Sequence, residues 1–168
     1  MSLHDSEEIE SNDGGPSAET RPLVLVAEPD HACRNTFVQV LQGAGYSVAT
    51  IPDPSRTADE AARLMPALII ARVTDPATDG FSLCRDVRAS ADTRDTPLLV
   101  LTRLDDPYTR EQIVRAGATA ILTEPLRRTL LLRQVRRQLA RGARTGHVRL
   151  GARLDNQLPG FPVPRSPF

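Results

Sequence analysis

Glu28, Arg72, Thr102 and Glu124 are the residues of this chain whose types and positions invite chemistry, because each stands at the end of a short apolar run. A carboxylate can act as a nucleophile or ligate a divalent cation, a guanidinium stays protonated and offers only donors, and a hydroxyl can follow an anion. Pro29, directly after Glu28, has no side-chain group to contribute. Other catalytic sets find no support. His4, His31 and His147 are scattered, the adjacent carboxylates Asp105-Asp106 read as solvated, and the chain has no Gly-rich phosphate loop with a lysine. The expectation is that the protein is not an enzyme and carries no cofactor and no metal site.

The runs that carry these residues are Leu23 to Ala27, Leu68 to Ala71, Leu98 to Leu101 and Ala120 to Leu122, the last followed by Thr123, Glu124 and Pro125. Helix-like stretches separate them, and alternating strands and helices imply a doubly wound parallel sheet with helices on both faces. In such sheets the working site lies at the carboxyl ends of the strands. Tyr46 to Ile51 reads as a further, short edge strand, which makes five. Asp30 is the expected N-cap of helix one, whose Cys33, Phe37, Val40 and Leu41 recur at helical spacing before Gly43 and Gly45 end it. Helix two is expected near Arg56 to Leu64, helix three near Phe81 to Ala89 and helix four near Pro107 to Ala116. Helix five begins after Pro125, turns Leu130, Leu131, Val135 and Leu139 toward the sheet and Arg127, Arg128, Arg133, Arg136, Arg137 and Arg141 outward, and is expected to stop at Gly142.

Over residues 22 to 141 the segments LVLVAEPD, PALIIARVTDPATDG, PLLVLTR and GATAILTEP resemble the receiver domain of two-component response regulators. That family has an acidic pair after strand one, a phosphate-accepting aspartate at the end of strand three, Thr or Ser after strand four, and Lys-Pro after strand five. The resemblance implies a flavodoxin-like fold of five parallel strands. Counted back from Asp79-Gly80, with Pro76 in the place of the loop's usual proline, the acceptor position falls on Arg72, and the lysine position before Pro125 falls on Glu124. Pro29 stands where the second acid would ligate magnesium, while Glu28 and Thr102 match the family. Phosphorylation of a receiver needs a carboxylate nucleophile, oxygen ligands for Mg²⁺ and a cation to neutralise the transferred group. Arginine supplies no carboxylate, glutamate repels a phosphoryl group, and all 21 basic residues are arginines, so no lysine can substitute. The chain therefore reads as a pseudo-receiver, a receiver fold without the phosphate chemistry.

Several consequences follow from the resemblance. In a receiver the positions of Arg72 and Glu124 face each other, which leaves two readings: an ion pair, shared with Glu28, that fills the phosphate pocket, or two side chains that drifted after chemistry ceased and point to water. Asp75 is a nearby carboxylate but lies three residues along a loop and reads as a turn residue before Pro76. Ile121 occupies the place of the aromatic residue that, in working receivers, turns inward when the family's threonine moves; isoleucine has no hydroxyl and is stiff at its first torsion. The Glu124-Pro125 bond is expected to be cis.

Composition fits one modest domain with different ends. The total formal charge is zero, yet residues 1–20 carry six acids and no Arg, residues 21–126 eleven Arg against fourteen acids, and residues 127–168 ten Arg against Asp155 alone. The division is an acidic head (1–20, expected to be disordered), a receiver-like domain (21–141) and a basic, proline-containing flexible tail (142–168). Cys33 and Cys84 have no metal-like spacing and read as free thiols in a reducing cytoplasm. No apolar run approaches a membrane span. The lysine-free, Arg-, Ala- and Pro-rich composition suits a bacterial, GC-rich genome.

The expected function is response-regulator-like signalling by protein–protein interaction. The resemblance places the partner, whether a histidine kinase, another regulator or a second copy, on the face formed by helix four, strand five and helix five. Two alternatives remain. One is an atypical phosphorelay receiver phosphorylated on another acid. The other is nucleic-acid binding through the nine arginines from Arg127 to Arg153, although no aromatic residue interleaves for stacking and no helix-turn-helix follows.

Overall fold

The computed structural model describes residues 21–75 and 80–144. Five parallel strands, β1 (Leu23–Ala27), β2 (Ser47–Ile51), β3 (Leu68–Arg72), β4 (Leu98–Thr102) and β5 (Ala120–Thr123), form one sheet in the order β2-β1-β3-β4-β5. The helices α1 (His31–Gly43), α2 (Thr57–Leu64), α3 (Phe81–Ala89), α4 (Pro107–Ala116) and α5 (Arg128–Arg144) supply the crossovers. A 3₁₀ turn over Pro54–Arg56 leads into α2, so that helix starts one residue later than the sequence suggests.

The central strands β1, β3 and β4 are apolar up to their carboxyl ends because both faces are covered. Leu25, Ala27, Ile69, Ala71, Leu98 and Val100 point toward α2, α3 and α4, while Val24, Val26, Leu68, Ile70, Leu99, Leu101 and Leu122 point toward α1 and α5. Asp30 caps α1, its carboxylate accepting from the Cys33 amide at 2.7 Å, and Asp106 caps α4 by accepting from the Thr109 amide at 2.8 Å. Gly117 ends α4 with φ +119, and a Cβ there would lie 2.6 Å from Cγ of Arg88.

Helix α5 does not stop at Gly142. It continues to Arg144, and Gly142 is buried on the stripe it shares with Leu131, Val135 and Gln138. The i, i+4, i+7, i+11 spacing keeps these four residues on the sheet-facing side, so burial outweighs the weak helix propensity of glycine. Cys84 is buried and Cys33 half-buried, both as free thiols; burial pushes the Cys84 thiol up to about 11. Among the described residues no helix is long and apolar enough to cross a membrane. The acidic head, the greater part of the basic tail, Pro76 and Asp79 lie outside the described residues.

Candidate functional site

The side-chain period of two in a strand brings the charged residues together. Glu28 lies two residues beyond Val26, Arg72 two beyond Ile70, Arg103 two beyond Leu101 and Glu124 two beyond Leu122. All four of those preceding residues point toward α1 and α5. The register pairs Val26 with Ile70 and Leu101 with Leu122. Four charges from four different strand ends are thereby delivered to one side of the carboxyl edge.

They close on one another. The Arg72 guanidinium donates through Nε to Oε2 of Glu28 and through Nη2 to Oε1 of Glu124 at 2.6 Å. Arg103 donates through Nε to the other oxygen of Glu124 at 3.0 Å. The second oxygen of Glu28 accepts from the Asp30 amide at 3.0 Å. The Arg72 side chain is 9% exposed and that of Glu28 1%, whereas Arg103 is 84% exposed. The network is thus buried at β1 and β3 and open at the β4 end. Of the two readings left by the sequence, the structure has the ion pair, shared with Glu28.

Backbone bonds fix these partners. The Glu28 amide donates to the Ile51 carbonyl at 3.0 Å and the Glu124 amide to the Thr102 carbonyl at 2.9 Å. Arg34 donates to the carbonyls of Glu28 and Pro29 at 2.8 and 3.1 Å, tying the turn that carries Pro29 to α1. The Glu124-Pro125 bond is cis. The hydrogen bond from Arg72 holds the Glu124 carboxyl below the usual carboxylate range. In turn the hydrogen bond to Glu124, joined by Glu28, raises the Arg72 guanidinium further above its ordinary value against the opposing effect of burial.

These donors do not fit the magnesium ion that working receivers hold. Both oxygens of Glu28 are occupied, Pro29 offers none, and the acceptor position is a cation. Thr102 is buried, and its Oγ1 accepts from the Leu104 amide at 3.1 Å, so the hydroxyl closes the start of the β4–α4 loop. Ile121 is half-buried against the α2/α3/α4 side of the core. Asp75 accepts through its backbone carbonyl from the Gly80 amide at 3.3 Å. Arg127, Arg128, Arg133, Arg136 and Arg137, the residues assigned to a partner face, are all exposed.

Sequence reasoning missed Arg103 and Arg88. The first was legible in principle, since it follows the inward-facing Leu101 by two residues. No local signal marks the second. Arg88, on α3, donates to the carbonyls of Gly117, Thr93, Arg94 and Thr96 at 2.9, 3.2, 2.9 and 2.7 Å. It ties the α3–β4 loop to the end of α4, and its burial lowers its pKa.

An open five-stranded parallel sheet of order 2-1-3-4-5, with its polar residues gathered at the carboxyl edge, defines a flavodoxin-like α/β domain. The comparisons with known proteins narrow the class. The family model of the response regulator receiver domain matches residues 24–136, and the chain belongs to that family. It is 32% identical over 143 residues to the DNA-binding dual master transcriptional regulator RpaA of Synechocystis, covering 85% of this chain and 59% of that protein. It is 34% identical over 118 residues to the response regulator MprA of a Mycobacterium species, covering 70% of this chain and 50% of that protein. Among solved structures it is similar to the chemotaxis response regulator CheY4 of Vibrio cholerae, with 29% identity and a TM-score of 0.65 over 71% of this chain and 99% of that one. A putative response regulator from Chloroflexus aurantiacus gives 28% identity and the same TM-score over 71% of this chain and 98% of that one. The chain thus spans about half to six tenths of the length of these two curated relatives.

Proposed function

We propose that this protein is a pseudo-receiver, a signalling module of the response regulator family that works by binding other proteins and not by accepting phosphate or catalysing a reaction. The observation that carries this reading is Arg72, held between Glu28 and Glu124 at the strand end where the family has its acceptor aspartate. A guanidinium has no oxygen with which to form an acyl phosphate, and its two carboxylate partners would repel an incoming phosphoryl group. The network also supplies from within the protein the opposite charges that phosphate and lysine bring together in a working receiver. It therefore favours one arrangement of the β3, β4 and β5 ends. The Thr102 hydroxyl, engaged by the Leu104 amide, fits the same reading.

Partner binding is assigned to the α4–β5–α5 face, whose arginines are exposed. Leu104, Tyr108 and Val114, the exposed large hydrophobic residues among those described, lie on α4 and the loop before it.

The test is intact-mass analysis and thermal melting of the chain with Mg²⁺ and acetyl phosphate, beside a triple variant Pro29→Asp, Arg72→Asp, Glu124→Lys. The natural chain is expected to gain no phosphate and show no Mg²⁺-dependent shift. A labile, hydroxylamine-sensitive phosphate on the natural chain would return it to the ordinary phosphorelay.

A further inference from the structure

Most of the arginines before Arg127 have an acceptor within the fold. Arg34, Arg56, Arg63, Arg72, Arg88, Arg103, Arg110 and Arg115 each donate to a carboxylate or carbonyl. From Arg127 to Arg144 there are seven arginines and no acid. Arg127, Arg128, Arg133, Arg136, Arg137 and Arg144 are exposed, and no carboxylate of the described residues pairs with them. Arg133 and Arg137 are four residues apart, and Arg133 and Arg136 three apart, spacings at which like charges repel along a helix. A second copy packing its α5 directly on this α5 would set arginine against arginine, and the occupant argued for here is an anionic segment of another kind.

The chain supplies one. Asp5, Glu7, Glu8, Glu10, Asp13 and Glu19 fall within residues 1–20, which hold no arginine. The topology brings the point of attachment to the right edge. β1 begins at Leu23, so Arg21 stands at the amino edge of the parallel sheet. α5 follows β5 from the carboxyl edge and packs Leu131 and then Val135 on the β1/β3 face. Its last turns, with Arg137 and Arg144, therefore come down toward the edge where Arg21 stands. Eleven residues separate residue 10 from residue 21, and a flexible chain of that length would reach about 20 Å, comparable to the roughly 25 Å length of a 17-residue helix.

We propose that the arginine face of α5 is an acid-binding surface and that its resident occupant is the chain's own residues 1–20, which an acidic partner must displace. The inference shares α5 with the partner reading above but does not depend on the state of the phosphorylation site. Tethering makes the weak, exposed contacts count. A short flexible connection supplies an effective concentration of about 1 mM, so a head that binds with a Kd of roughly 0.1 mM would weaken a competitor about tenfold. Because the contacts are exposed, the competition should fade as salt shortens the screening length from about 10 Å at 0.1 M to about 3 Å at 1 M.

The experiment uses the full chain with Ser11→Cys carrying a spin label, in a Cys33→Ala background, the remaining Cys84 being buried. Amide signals of residues 133–144 should broaden at low salt. They should recover at about 1 M salt and in a head variant with Asp5→Asn, Glu7→Gln, Glu8→Gln, Glu10→Gln, Asp13→Asn and Glu19→Gln. Polyglutamate should bind that variant about tenfold more tightly than the natural head, from the same competition. The proposal is overturned if the broadening is absent, falls only on residues 145–168, or appears only between labelled and unlabelled copies in a mixture. Polyglutamate binding equally to both heads overturns the displacement while leaving the acid-binding face in place. Its binding to neither removes the assignment of an acidic partner as well. A duplex DNA that outcompetes polyglutamate severalfold overturns the acidic occupant in favour of nucleic acid.

Discussion

Arg72 and Arg137 have the same side chain and opposite circumstances. Arg72 is nearly buried, shares two carboxylates and stands on a central strand. Arg137 is exposed on a helix whose neighbouring charges all have its own sign. Burial raises the stakes of pairing, because an ion stripped of water and of its partner is far costlier than one that keeps its hydration. The site is therefore built to hold one arrangement, and α5 to change its company.

The largest expected effect breaks the first half of this contrast. Arg72→Met leaves the buried Glu28 without a cation and Glu124 with the exposed Arg103 alone, and should destabilise by about 3–5 kcal/mol. Urea denaturation would measure it. Glu28→Gln should destabilise the natural chain yet stabilise the Arg72→Met variant, because the missing charge is then no longer wanted. Without that reversal of sign, Arg72 and Glu28 are not coupled. The exchange Arg72→Glu with Glu124→Arg, which the sequence alone would suggest, recovers only part of the loss, since it sets a second carboxylate against Glu28.

Arg88 sharpens the comparison from another side. It is partly buried, and its hydrogen bonds go to carbonyls and a threonine hydroxyl. Arg88→Met would leave several carbonyls of the α3–β4 loop and of Gly117 without a donor, for about 2–3 kcal/mol. Gly117→Ala should also destabilise, because its φ of +119 and its closeness to Arg88 both oppose a Cβ. Amide exchange would show which way the damage runs. The expectation is faster opening of residues 93–96 and the last turn of α4, with the Arg72 network unchanged.

The pH dependence separates the two regions by a smaller amount. Arg72 holds the Glu124 carboxyl below its ordinary value, so its folded pKa lies below its unfolded one. Such a group adds stability that is complete above the unfolded value and fades as pH falls through the carboxylate range toward the folded one. The natural chain and Glu124→Gln should differ most near neutrality and converge below about pH 4, since an unperturbed glutamate titrates near 4.3. Thermal melts from neutral pH downward would show it. Substituting α5 arginines should leave this profile in place.

How much of this was legible in the sequence divides along the same physical line. The strands and most helices follow from apolar runs and caps, which are local: α3 and α4 match their expected limits, and Asp30 caps α1. The departures at the strand ends were legible through the resemblance to receiver domains, whose motif order says which residue stands at each strand end. That Arg72 engages Glu28 as well as Glu124 was only one of two open readings, since a long side chain chooses its partner from the assembled sheet. Arg88 was out of reach. Its acceptors are carbonyls from two loops, and a carbonyl carries no mark in a sequence. Gly142 misled because glycine is a stop signal only where the helix face is exposed, and here that face is buried.

The smallest effect bears on α5 itself. In the head variant that lacks acids, Arg133→Gln and Arg137→Gln each remove one member of a like-charged pair and should change stability by no more than about 0.5 kcal/mol, on the favourable side if anything. What should change is the response to salt. With the acids of residues 1–20 neutralised, screening relieves repulsion among the arginines, so added salt stabilises α5 in that head variant and does so less when Arg133 and Arg137 are also replaced. In Arg72 variants the same salt series should move little, because a pair that is nearly buried is poorly screened. A salt response carried by Arg72 and absent from Arg133 and Arg137 would reverse the contrast between the two regions: the strand-end network would be the exposed, exchangeable one, and α5 would owe its charge to packing against the sheet.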